Sequence, residues 1–127
     1  MLIVNFSHPL SAEHLAAIER ASAQRVDSVR DVPVHFDDAA PYGPQAEALV
    51  AQVGLTSVEW QTWPLMLVLP GHSFIAAALL AVLHGRTGHF PAAVRLRRAA
   101  GPVVQFFVAE IVSLQDVREE SRRQRAG

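Results

Sequence analysis

Two short stretches of the sequence combine side chains that can hold or move a proton with residues that free the backbone. They are Asn5-Phe6-Ser7-His8-Pro9 and Pro70-Gly71-His72-Ser73. Each places a histidine and a serine directly after an apolar run, where a strand would give way to a helix. In open α/β sheets, ligands gather at the carboxyl ends of the strands. Unpaired backbone N–H groups at the helix starts that follow, helped by the helix dipole, favour an anion such as phosphate. Gly71 lacks a Cβ and would let a ligand approach the main chain closely. Histidine changes charge near neutral pH, so His8 and His72 are the candidate catalytic acid and base. A plainer reading stands beside this one: Ser11 and Ser73 are helix N-caps, and the histidines are surface loop residues.

Other patterns carry less. Gly71-His72-Ser73 approaches the nucleophile elbow of serine hydrolases, but Ile75 stands where the second glycine belongs. The order serine, acid, histidine also fails, because His84 and His89 precede every acid after Ser73. His35, Asp37 and Asp38 lack a second histidine at helical spacing, so no metal site is expected. Arg95, Arg97 and Arg98 form a basic cluster; alternation sends Arg95 and Arg97 to one strand face, where solvation is the commoner reason for charge. Trp60, Trp63 and Phe74 could stack on a base, but their apolar context reads as core. The arginines of residues 118–125 alternate with Glu119 and Glu120, as on a solvated helix face.

The elements that must position the two loops follow from periodicity. Residues 2–6 read as a first buried strand, and Ser11 can cap a helix carrying Leu15, Ala16 and Ile18 on one face. Residues 26–32 read as a second strand ended by Pro33, with residues 34–36 extended beyond it. Pro44 is expected to open a helix that Gly54 stops, and Thr56 with Glu59 has capping-box spacing. Residues 65–69 are continuously apolar, as in a central parallel strand. The helix from Ser73 to about Gly85 is nearly all apolar, which predicts a subunit interface on its uncovered side. Strands at 93–98 and 105–114 flank the turn signal Gly101-Pro102, and 116–125 reads as a charged terminal helix. The sum is one domain over residues 1–127. Its expected fold is a small Rossmann-like three-layer α/β sandwich, with a central parallel sheet of about five strands and an antiparallel edge.

Composition limits the partners. Of 127 residues half are apolar and 18% charged, so a real core is available. All 11 basic residues are arginine, against 12 acids. The formal net charge of -1 speaks against a wide basic field for long nucleic acid or an acidic membrane. That charge is uneven: residues 1–94 carry four arginines and eight acids, residues 95–127 seven arginines and four acids. The absence of cysteine excludes disulfides, thiol nucleophiles and cysteine-ligated metals. Residues 1–6 have no basic region before them, and the apolar stretch 64–83 is cut by Pro70 and Gly71. A cytoplasmic protein without a membrane span is expected.

The opening Leu2-Ile3-Val4-Asn5-Phe6-Ser7-His8-Pro9-Leu10 resembles the start of a small family of ancillary proteins from type III CRISPR systems. Asp31-Val32-Pro33-Val34, Glu59-Trp60-Gln61-Thr62, the stretch 67–73 and Leu83-His84-Gly85-Arg86 extend the likeness over most of the chain. Such proteins are similar to the Rossmann-like sensors and ring nucleases that handle cyclic oligoadenylate messengers, above all cyclic tetra-adenylate. The resemblance implies a homodimer that holds the ring across its two-fold axis, with no cofactor. By position it makes Asn5, Phe6, Ser7, His8, Gly71, His72 and Ser73 the expected ligand contacts. Capture of the messenger is the expected function, because no lysine and no obvious arginine stands beside the histidines to stabilise a transition state. The alternative is a metal-independent ring nuclease releasing linear di-adenylate with a 2′,3′-cyclic phosphate.

Overall fold

A computed structural model describes all 127 residues. The first apolar run forms β1 (Leu2–Asn5), buried at every position. Ser11 caps α1 (Ala12–Ser22), whose inward face carries the buried Ile18. β2 (Ser28–Asp31) follows, then α2 (Tyr42–Ala51), the short α3 (Ser57–Thr62) and β3 (Leu65–Val68). The apolar helix is α4 (Ser73–Thr87); β4 (Ala92–Arg98), β5 (Phe106–Ser113) and α5 (Leu114–Ala126) complete the chain.

The five strands form one sheet in the order β2-β1-β3-β4-β5. β2, β1, β3 and β4 run parallel, and β5 pairs antiparallel with β4 at the edge. The fold is therefore a small Rossmann-like α/β sheet flanked by helices. β1 and β3 are neighbours from which the chain departs toward opposite edges, first to β2 and then to β4. This is the topological switch point of a doubly wound sheet, where loops diverge and leave a crevice.

Period-two alternation splits the sheet's side chains between two cores. Leu2, Val4, Phe6 and Leu67 pack with Leu49 of α2 and Leu79 and Leu83 of α4. Ile3, Met66, Val68 and Val94 pack on the other face with Ile18 of α1. No helix is long and apolar enough to cross a membrane.

Local differences from expectation have physical causes. Residues 34–36 join no strand; Val34 and Phe36 instead lean on the larger core. α2 begins at Tyr42, two residues before Pro44. Proline is tolerated there because first-turn N–H groups have no intrahelical acceptor. Gly54 does supply the left-handed turn after α2, at φ 78°. Thr56 and Glu59 do close a capping box, with N···O distances of 3.1 and 2.8 Å. α4 runs through Gly85 and stops at Gly88, which takes φ 81°. One face of α4 is buried through Ile75, Leu79, Leu83 and Thr87, while Phe74 is 74% exposed instead of being core. Trp60 is core at 2% exposure, whereas Trp63 is partly exposed beside the Arg30 guanidinium.

The strands differ in length, and that shapes the site. β3 pairs with β4 only through Met66 and Leu67. β4 continues past that contact and stays paired with β5 out to Arg98 and Phe106. The β4–β5 hairpin thus projects beyond the carboxyl end of β3 as a wall. A β-bulge on β5 lies in this wall: Arg95 faces Glu110, Leu96 faces Val108, and Ala109 is the extra residue.

Candidate functional site

A cleft of about 500 Å³ lies against this wall. Its volume falls in the range of about 300–1,000 Å³ usual for small-molecule sites. Ser7 and His8 from the loop after β1, and Gly71 from the loop after β3, line it together. Leu69, Leu96, Phe106 and Leu114 are among its eight hydrophobic lining residues. The arginine that lines it is Arg95. A small polar set within an apolar cleft fixes the orientation of a ligand and excludes water around it.

The loop after β1 is braced from within. Asn5 is fully buried, and its amide is spent on the chain itself. Its Nδ2 donates to the His8 carbonyl at 2.8 Å and to Asp31 Oδ1 at 2.9 Å, while its Oδ1 accepts from the Ser7 N–H at 3.0 Å. The last of these bonds closes an Asx-turn, in which a side-chain oxygen bonds the backbone two residues on. Phe6 is buried in the larger core at 2% exposure, and its N–H donates to the Val68 carbonyl at 2.9 Å. Neither Asn5 nor Phe6 lines the cleft. Both shape the loop that presents Ser7 and His8.

The loop after β3 is open. A Cβ built on Gly71 would meet nothing within 4 Å, so the main chain is accessible there. His72, not Ser73, is the N-cap of α4: its Nδ1 accepts from the Ile75 N–H at 3.3 Å. That bond requires Nδ1 to be unprotonated, leaving the proton on Nε2. The His72 ring meets the Tyr42 ring edge-on at 5.9 Å, and Tyr42 in turn meets Phe36 at 5.1 Å. His72 and Ser73 are exposed but do not line the cleft. The backbone N–H groups of Ser73 and Phe74, at the start of α4, have no acceptor in the chain. His8 and His72 thus belong to different surroundings, and only His8 shares the cleft with Arg95.

Arg95 lines the same cleft as His8, although no arginine is obvious beside the histidines in the sequence. Its Nε donates to Glu110 Oε1 at 3.0 Å across the β4–β5 pair, and both side chains are 52% exposed. From spacing alone Arg95 is a weak candidate, and the signal that raises it is strand length. β4 has seven residues against four in β3, so its distal half had to overhang the loops. His14 carries no signal of a site role in the sequence and takes a structural one in the fold. It sits at the third position of α1, where a capping box usually has Glu or Gln. Its Nδ1 accepts from the Ser11 N–H at 3.1 Å, and its Nε2 donates to the Phe106 carbonyl at 2.7 Å. The imidazole therefore fastens the helix after the first loop to the hairpin wall.

The remaining candidates have other occupations. Asp37 Oδ1 accepts from the Ala39 N–H at 2.9 Å, and Asp38 Oδ1 accepts from the Tyr42 hydroxyl at 2.6 Å. That bond to the Asp38 carboxylate raises the Tyr42 pKa above the ordinary phenol value. No group of three or more histidine, aspartate and glutamate side chains is placed to hold a metal ion. On α5, Arg118 pairs with Glu119 at 2.7 Å and Arg123 with Glu120, in keeping with a solvated face. No protein-family model, curated protein or solved structure matches the chain.

Proposed function

We propose that the protein binds and holds cyclic tetra-adenylate as a cytoplasmic homodimer, modulating type III CRISPR antiviral signalling. The observation that carries this reading is the convergence of both strand-end loops on one cleft, which Ser7, His8, Gly71 and Arg95 line together. A guanidinium, a hydroxyl, an imidazole and accessible main chain suit a phosphodiester. The apolar remainder of the cleft suits a base or sugar. Each cleft is small for a four-nucleotide ring, so two copies related by a two-fold axis would each hold half of it. The uncovered side of α4, led by Phe74, offers apolar surface for such a dimer. Four phosphates in a compact ring need only local donors, which agrees with a net charge of -1.

Holding is favoured over cutting because only one of the two candidate histidines reaches the cleft. His72 uses Nδ1 to cap α4 and lies beside Tyr42. Cleavage of the ring requires a 2′-hydroxyl in line with its phosphate, a base to take its proton and a cation for the developing charge. His8 and Arg95 together favour, as the second reading, slow metal-independent cleavage to linear di-adenylate with a 2′,3′-cyclic phosphate.

The test is incubation of labelled cyclic tetra-adenylate with excess protein, followed by mobility shift and separation of the products. A shifted, intact ring is the expected result. Linear di-adenylate makes the protein a nuclease, and no shift at micromolar protein removes the ring ligand altogether.

A further inference from the structure

We propose that Arg95 is the cation that receives the ligand's phosphate, and that Glu110 opposes the ligand there and so sets the affinity of the cleft. The proposal rests on the anion-binding reading above and adds a built-in competitor to it.

Arg95 is the arginine among the cleft's lining residues; Arg97 and Arg98, farther along the same strand, do not line it. Most of the lining is apolar, so a phosphate entering it loses water and gains most from a charged donor. Arg95 is already held: register places Glu110 directly opposite on β5, and only its Nε is engaged there. Both Nη groups are without an in-chain acceptor and remain free to form a fork toward an anion. The Glu110 carboxylate bears the same charge as the phosphate that must approach Arg95. It therefore lowers the potential of the guanidinium and repels the ligand. Because the pair is half-exposed, the opposition is mild, about two- to fivefold in affinity.

The experiment follows the Arg95 Nε–H resonance of ¹⁵N-labelled protein, assigned by its loss in Arg95→Gln. Cyclic tetra-adenylate and adenosine 5′-monophosphate are titrated separately into wild type, Glu110→Gln, Arg95→Gln and the double variant. The expected result is a ligand-dependent shift of that resonance, binding about two- to fivefold tighter in Glu110→Gln, and a double variant no tighter than Arg95→Gln. If the ring does not bind while the monophosphate moves Arg95 and binds tighter in Glu110→Gln, the ring reading falls and this proposal stands. If the ring binds without moving Arg95, or with unchanged affinity in Glu110→Gln, this proposal falls and the ring reading stands. Weaker binding in Glu110→Gln overturns it as well, since Glu110 then positions Arg95. Silence of Arg95 toward both probes, with no binding, overturns both.

Discussion

The two strand-end loops contain the same residue types and behave differently. After β1, a buried asparagine bonds the serine N–H ahead of it, the histidine carbonyl and a carboxylate on β2. Ser7 and His8 are thereby fixed by the fold before any ligand arrives. After β3 there is no such brace: Gly71 meets open space, and the histidine turns back to cap its own helix. One loop spends its core-facing amide on shape and leaves its histidine free. The other spends its histidine on shape and leaves its main chain free. Similar motifs at one sheet edge can thus divide the work, one giving side chains and the other backbone. The difference is set by what precedes the histidine: a buried amide in one case, a proline and a glycine in the other.

Removing the brace has the largest expected effect. In Asn5→Ala, the Ser7 N–H, the His8 carbonyl and Asp31 Oδ1 lose a fully buried partner, in bonds that are themselves partly buried. Groups left unpaired in this way cost about 1–3 kcal/mol. Urea denaturation should show a loss of that size, and affinity for cyclic tetra-adenylate should fall with it because the loop no longer holds its turn. Unchanged stability would mean that the loop shape is set by Pro9 and Phe6 instead of by the amide.

The two histidines should separate in a second experiment. His72→Ala removes an N-cap whose bond is long at 3.3 Å and whose side chain is exposed, so the loss should stay below about 1 kcal/mol. Its effect on ligand affinity should be slight. His8→Ala should do the reverse, leaving the denaturation midpoint in place and weakening binding. Binding abolished in His72→Ala at unchanged stability would erase the division between the loops.

How much of this was legible in the sequence depends on the kind of pattern involved. Continuous apolar runs gave β1 and β3, and capping residues gave the starts of α1 and α3, because both signals are local. Gly54 and Gly88 ended helices where left-handed backbone was needed, although Gly85 looked equally able and was not used. The site was legible only as two loops. Asn5 read as a ligand contact because its burial depends on β2 and β3 closing around it. Its Asx-turn with Ser7 was the signal that could have assigned it to structure. Arg95 reaches the cleft through the unequal lengths of β3 and β4, and His14 reaches Phe106 through the packing of α1 on the hairpin. Those are properties of pairing across the chain, which spacing within one segment does not contain.

The smallest expected effect concerns what supports the open loop from the side. The Tyr42 ring stands edge-on to His72, and its hydroxyl donates to Asp38. Donation to a carboxylate favours the neutral phenol, so the Tyr42 pKa is raised in the folded chain. A raised value means that folding favours the protonated form. Its contribution to stability is fully present below the ordinary tyrosine pKa of about 10, and is lost as pH rises through the folded value. Tyr42 is the single tyrosine, so its ionisation can be followed by ultraviolet absorbance without assignment. The wild type should titrate above the ordinary range, and Asp38→Ala should bring the midpoint down toward it. If the loop after β3 depends on this side support, the same substitution should also broaden the His72 ring resonances while leaving those of His8 sharp. Equal broadening at both histidines would show that the loops share one support, and that the difference between them is smaller than their hydrogen bonds imply.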